Sequence, residues 1–377
     1  MTKVLLVTDT PAIPTSYANC ARFFADAVAP LGVEVAFGSL QHMGERLTYE
    51  FNGRGYRHYG CNPPYRIRAA VEDFDPDVVL HLRDPVPLIP KYFPNGNYTV
   101  KGQAGGRPTW HWVPVQHETL PWDYIDALHR EADVVLPFTV VGGEALGNAG
   151  LVRDRIEPLP LGVSPSYSDP EGPVATGYGR PGIPLVMSVG LGHQDRKAFP
   201  VLMRAYREVI GEIDLEFYIH SMEVAAFDLL EHIKMLGVDG HWMFPHLYDP
   251  QFGYPEEEFA TRYRRATAYA SVGTGEGWDM PLSEAAALGR VMFVPNDPNR
   301  LEVVSDYEGP KLVFDTFPIP RSMNWERLPD PHSLAQQLLK LKDLKPDPAA
   351  GRRYFEKHTW KKTAEQFVKV LQSRGVP

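Results

Sequence analysis

Residues 274–289 read Thr274-Gly275-Glu276-Gly277-Trp278-Asp279-Met280-Pro281-Leu282-Ser283-Glu284-Ala285-Ala286-Ala287-Leu288-Gly289. The apolar run Ala268–Val272 ahead of them predicts a strand that ends just before the glycines. Pro281 marks a helix start, because a missing N–H costs nothing in the first turn. Three alanines carry the helix on, and Gly289 stops it. Strand, glycine-bearing loop and helix form the repeating step of a parallel α/β sheet.

The same alternation runs outward in both directions. Toward the N-terminus, Val4–Thr8, Val33–Phe37, Asp77–Leu82, Trp110–Val115 and Val134–Phe138 are short apolar runs of strand character, with a helical stretch at Ala21–Pro30. Residues 164–184 are rich in proline and glycine and lack periodicity, which predicts an interdomain linker. Beyond it, Leu185–Gly190, Leu215–His220, His241–Pro245 and Val291–Pro295 predict further strands, with helices around 199–210 and 225–236. The fold class is therefore α/β. Two Rossmann-like doubly wound domains are expected, 1–163 and 185–357, facing across a cleft in which the default ligand site lies.

Composition narrows the partners. The 377 residues carry 38 Lys+Arg against 47 Asp+Glu, a net charge of −9. That balance argues against a general nucleic-acid binder or a protein held to anionic lipid, so positive charge must act locally. The 36 prolines are spread between apolar runs and read as ordered loops. Two cysteines, Cys20 and Cys61, exclude a disulfide scaffold and a four-cysteine zinc site. No apolar run reaches the ~18 residues of a membrane span, and Met1–Thr8 reads as a core strand rather than a signal peptide, so no stable membrane insertion and a cytoplasmic location are expected.

Chemistry concentrates in 274–289. Backbone N–H groups near Met280–Ser283 would form an anion site at a helix start. Glu276 precedes that site and Glu284 follows it by one turn. A ligand with hydroxyls on both sides of a phosphate suits this order, and a nucleotide sugar is such a ligand. A second stretch, Val186 to Pro200, is strand, glycine turn, basic pair and helix. Two adjacent cations at a helix start, Arg196 and Lys197, oppose the helix dipole and need an anion to justify them.

The pattern E-G-x-x-x-P-x-x-E-A-x-A-x-G resembles the signature of retaining GT-B glycosyltransferases of glycosyltransferase family 4. The 186–200 stretch resembles that family's V-G-R-x-x-x-x-K-G loop, with Leu191 where the family often has Arg. Asp279 stands where it often has Gly. Leu159-Pro160-Leu161-Gly162-Val163 resembles the family's linker strand. The resemblance implies that Glu276 holds hydroxyls of the donor sugar and that Glu284 binds the nucleotide ribose. It implies that Arg196 and Lys197, with the turn at Gly277, Met280 and Leu282, bind the donor diphosphate. His117, past a strand end, is expected near the reacting sugar, and Ser16, Asp84 and Glu118 are expected on the acceptor side. Residues 246–254 are the expected base-side loop. The amphipathic stretch within 358–377 is expected to cross back to the first domain as the last helix.

The implied activity is transfer of a hexose-type sugar, with retention, from a nucleoside diphosphate donor to an acceptor hydroxyl. The acceptor could be a glycan, a small molecule, a lipid-linked sugar or a modified base. No cofactor and no metal are expected, because protein cations meet the diphosphate. Asp75-Pro76-Asp77 precedes a strand, at the wrong end for the site, and reads as a turn. A GT-B sugar-nucleotide epimerase and a non-catalytic nucleotide-sugar-binding subunit share the architecture and stand as alternatives.

Overall fold

The computed structural model describes residues 1–44, 46–89, 99–190, 195–223, 228–245, 253–320 and 325–377. The chain divides into two compact units, Met1–Gly162 with His358–Pro377, and Val163–Lys357. Among the described residues, no helix is long and apolar enough to cross a membrane.

The first unit holds strands β1 (Thr2–Thr8), β2 (Val33–Ser39), β3 (Leu47–Phe51), β4 (Arg54–Gly60), β5 (Val78–Leu82), β6 (Thr109–Val113) and β7 (Val134–Pro137). Their order is β3-β4-β2-β1-β5-β6-β7, parallel except for the β3–β4 hairpin. The buried runs Val4–Val7 and Val78–Leu82 sit in the middle of this sheet, covered on both faces as continuous apolar strands require. Helix Ser16–Val28 begins earlier than the predicted Ala21–Pro30. Thr15 caps it, accepting from the Ala18 N–H, so Ser16 is the exposed first residue of a helix and not part of a loop. Asp75-Pro76-Asp77 is a turn: Asp75 ends helix Ile67–Phe74 at φ 54°, and Asp77 accepts from the Lys3 N–H.

Helix Trp360–Ser373 completes the first unit's core. Phe367 packs on Phe24 (ring centroids 4.9 Å) and Trp110 (5.9 Å), and Trp360 on Trp112 (6.3 Å). Thr363 donates its hydroxyl to the Pro160 carbonyl. Aromatic side chains dominate this contact, and each buries on the order of 150–250 Å².

The second unit holds β8 (Leu185–Val189), β9 (Glu216–His220), β10 (Trp242–Met243), β11 (Ala268–Ala270), β12 (Val291–Pro295) and β13 (Lys311–Phe314), in the order β10-β9-β8-β11-β12-β13. A separate hairpin pairs β14 (Thr316–Pro320) with β15 (Trp325–Pro329). The direction in which strands are added reverses between β8 and β11, which is where open α/β sheets place ligands. Residues 163–184 are packed on this unit. Ser164 donates to Glu256, Tyr167 is buried, and Arg180 pairs with Glu216 at 2.6 Å.

Candidate functional site

The site forms at that switch point, from the turn after β8 and the loop after β11. Gly190 closes β8, where a Cβ would stand 2.7 Å from Lys197 Cδ, so the lysine stem crosses directly over the glycine. The 3-10 turn Asp195–Lys197 and helix Phe199–Val209 follow. Ala198 between them adopts φ 45°, a left-handed conformation that costs a β-carbon residue roughly 1 kcal/mol or more. The Thr274 N–H donates to the Arg196 carbonyl at 2.7 Å, fastening one loop to the other.

Glu276 is the centre of the cluster. Its Oε1 accepts from Arg196 Nη1 at 2.7 Å and from Lys197 Nζ at 2.5 Å. Arg196 also donates to the Gly275 carbonyl. Burial alone would raise the Glu276 carboxyl, but Arg196, Lys197 and Arg300 together outweigh it and hold it down to about 2. Burial lowers the Lys197 ammonium, against the pull of Glu276. The pair of cations and the carboxylate that the sequence separates by 80 and 79 residues are therefore brought into direct contact.

Helix Met280–Ala287 starts as Pro281 predicts, and every residue from Leu282 to Ala287 is buried, which explains the alanines. Gly289 ends the run at φ 68°, where a Cβ would overlap the Asp347 carbonyl at 2.1 Å. The helix start corrects one expectation. Asp279 is its cap, at φ 60°, and accepts from the Leu282 N–H at 3.3 Å. That amide also reaches the Asp279 carbonyl at 3.0 Å, so it is engaged within the chain and does not stand open to a phosphate. Ser271 donates to the other Asp279 oxygen. Burial, and then the Glu276 charge, raise the Asp279 carboxyl.

Glu284 lies one turn on and accepts from the Tyr263 hydroxyl at 2.9 Å. Burial, and then the charge of Glu256, push its carboxyl up to about 8. Arg300, absent from the sequence reading, is fully buried and donates to the Gly273 carbonyl at 2.8 Å. Gly277 lies in the loop between Glu276 and this helix, and Met280 opens the helix. Leu191 and residues 246–252 of the expected base-side loop lie outside the described residues.

In the first unit, Asp84, His117 and Glu118 each follow the C-terminal end of a strand. Asp84 follows β5 and accepts from the Val86 N–H, His117 is buried beyond β6, and Glu118 beside it is exposed. The residue the sequence reading missed there is Asp9. It follows β1, is buried, accepts from Thr15 at 2.8 Å and from Gln41, and pairs with Arg83 at 3.4 Å, so it ties three loops together. Among the described residues, no group of three or more His, Cys, Asp and Glu could hold a metal ion.

No family model matches the sequence, and no curated protein matches it as a relative. Solved structures do match. Sucrose-phosphate synthase from Thermosynechococcus elongatus superimposes with a TM-score of 0.70 at 13% identity, covering 99% of each chain. Anabaena HepE in complex with UDP and glucose gives 0.64 at 12% identity, covering 99% of this chain and 100% of that one. A trehalose-6-phosphate structure from E. coli, bound with UDP-2-fluoro glucose, gives 0.67 at 11% identity, covering 98% and 99%. The chain has the GT-B fold of these neighbours, two Rossmann-like α/β units along its whole length.

Proposed function

We propose that this chain is a retaining glycosyltransferase that moves a hexose-type sugar from a nucleoside diphosphate sugar to an acceptor hydroxyl. The observation that carries the reading is the part-buried triad Arg196–Glu276–Lys197 at the switch point of the second sheet, with Glu284 one turn into the adjoining helix. The fold supports it, and two of the solved neighbours hold UDP with glucose or a fluoroglucose.

On this reading the diphosphate takes Arg196 and Lys197, beside the turn of Gly277 and Met280. Glu276 accepts from donor sugar hydroxyls and Glu284 from the ribose. Cations of the chain meet the leaving charge, so the reaction calls for no metal or other cofactor. The acceptor attacks from the face of the departing diphosphate, which takes the acceptor's proton, and the chain contributes positioning and stabilisation of charge on the leaving oxygen. His117 serves the reacting sugar, and Ser16, Asp84 and Glu118 serve the acceptor, a glycan, small molecule, lipid-linked sugar or modified base.

The first experiment is a thermal-shift screen of nucleotide sugars, in which a bound donor raises the melting temperature. No shift from any nucleotide sugar would overturn the reading. Donor incubated without acceptor separates transfer from epimerisation, which would release an epimer or free sugar.

Two variants follow from the geometry. Lys197→Ala removes a charge-assisted partner of the diphosphate and is expected to weaken binding of the donor's nucleoside diphosphate by about 10–100-fold in calorimetry. Unchanged affinity would remove Lys197 from the site.

Glu284→Gln has opposite effects on binding and stability. A folded-state value of about 8, against 4.5 for the free group, means the folded chain binds this proton more tightly than the unfolded chain does. Stability is therefore lost as pH rises from 4.5 to 8. Glutamine removes that loss, so the variant should melt higher than the parent at pH 8 and bind nucleotide more weakly. A parent that melts as high as the variant at pH 8 would contradict the burial assigned to Glu284.

A further inference from the structure

Arg300 belongs to none of the motifs above. It sits on the short helix Pro298–Val303 after β12, with its side chain fully buried. Its Nη2 donates to the Gly273 carbonyl at 2.8 Å, its Nε lies 3.3 Å from Asp279 Oδ2, and its Nη1 lies 3.8 Å from Asp297 Oδ2. Among the described residues, neither Nε nor Nη1 completes a hydrogen bond of normal geometry. A buried guanidinium with incomplete pairing is a poor way to fill space, since an apolar side chain of similar volume does so at less cost. The charge therefore needs another explanation.

Gly273 supplies one. A Cβ there would stand 3.0 Å from Arg300 Nη2 and 3.3 Å from Glu276 Oε1, so the guanidinium and the carboxylate approach the same glycine. The charged and titratable groups acting on this corner are Arg196 and Lys197 from the turn after β8, Arg300 from the helix after β12, Asp297 from that helix's cap, Asp279 from the cap of the helix after β11 and Tyr269 from β11. Three cations, Arg196, Lys197 and Arg300, face three carboxylates, Glu276, Asp279 and Asp297. A diphosphate that occupies Arg196 and Lys197 strips Glu276 of both its direct partners. A buried carboxylate without a counter-charge takes up a proton, and a protonated one offers sugar hydroxyls a poorer acceptor.

We propose that Arg300 is a positioning residue that keeps Glu276 charge-balanced while a diphosphate occupies Arg196 and Lys197. Through the Gly273 carbonyl and Asp279 it also holds both ends of the loop that carries Glu276. The inference rests on the reading of this loop as the nucleotide-sugar site. Arg300 itself is sealed from solvent, so it acts through Glu276 and the loop.

Calorimetry on the full chain tests it, with UDP, GDP, ADP, CDP and dTDP each titrated at pH 7 in two buffers of different ionisation enthalpy. This measures affinity and protons exchanged together. The unaltered chain should bind at least one nucleotide with little proton exchange. Arg300→Met should bind the same nucleotide about tenfold or more weakly and take up close to one proton. Adding Glu276→Gln to it should abolish that uptake and recover affinity, which a purely structural role would not produce. If Arg300→Met does not fold, Arg300→Met with Asp279→Asn keeps the buried pair neutral and the left-handed cap intact, and the proton uptake should persist. Binding by the foldable variant at parental affinity without proton uptake would overturn the role of Arg300 alone. Failure of the unaltered chain to bind any of the five would overturn the donor-site reading, and this inference with it.

Discussion

Glu276→Ala is expected to lower sugar transfer by about a hundredfold to a thousandfold, the usual effect of deleting one preorganised electrostatic group from an active site. The residue lies in a loop between β11 and helix Met280–Ala287, outside any regular element, so its loss leaves both elements in place. It does leave the part-buried Lys197 without its ion-pair partner, which lowers stability as well. Glu276→Gln keeps a hydrogen-bond acceptor beside both cations and separates the two effects, with stability closer to the parent and transfer still low. The measurement is release of nucleoside diphosphate from the nucleotide sugar found by thermal shift, across a panel of acceptors, with melting temperature as the fold control. Parental turnover in the alanine variant would dismiss Glu276 as the centre of the site.

Acidification between pH 6.5 and 5 is expected to destabilise the chain through its buried histidines. His81 and His111 are register partners on β5 and β6, fully buried, with their Nδ1 atoms 3.2 Å apart. Burial, and then His111 and Arg83, hold His81 well below 6.5. Burial brings His111 down to about 3 and His220 to about 3, and burial and then His42 bring His58 to about 4. Each ring stays neutral in the folded chain while the unfolded chain protonates it below about 6.5. The unfolded state then binds more protons, so the stability these groups contribute is present above 6.5 and is lost as pH falls below it. At pH 5, His111 and His220 each withdraw about 2 kcal/mol, a large share of the 5–15 kcal/mol typical of a whole domain. Glu284 works in the opposite direction across the same range, so the loss should be steeper in Glu284→Gln. Urea denaturation midpoints from pH 7.5 to 5 measure this, and a flat series would show that the histidines are not held neutral.

Most of the sheet was legible because its strands are buried on both faces. Val4–Val7, Val78–Leu82 and Val291–Pro295 are continuous apolar runs for that reason. The β3–β4 hairpin escaped notice because it lies at the sheet edge and Leu47–Phe51 is mostly exposed, so no apolar run marks it. Its signal was Asn52-Gly53, whose φ values of 50° and 73° suit a tight hairpin turn. β14, with prolines at 318 and 320, reads as a loop by composition and pairs with β15.

The site divides along similar lines. Glu276, Glu284, Arg196 and Lys197 could be named because each sits in a short pattern of strand, loop and helix. Asp9 and Arg300 could not, because their partners come from separate loops: Thr15, Gln41 and Arg83 for the first, Gly273 and Asp279 for the second. Asp279 was noted as a departure from glycine, but its compensation by Ser271 and Arg300 exists only once β11 and β12 lie side by side.

The first unit is written in two pieces of sequence, with the second unit between them. A ribosome therefore delivers Phe24, Trp110 and Trp112 long before it delivers Trp360 and Phe367, their covering side chains. Throughout synthesis of residues 163–357 the nascent first unit carries an open aromatic seam. Residues 358–377 act as its closing stitch, so a stop ahead of them would leave an unfinished core and a chain that is a natural client for chaperones.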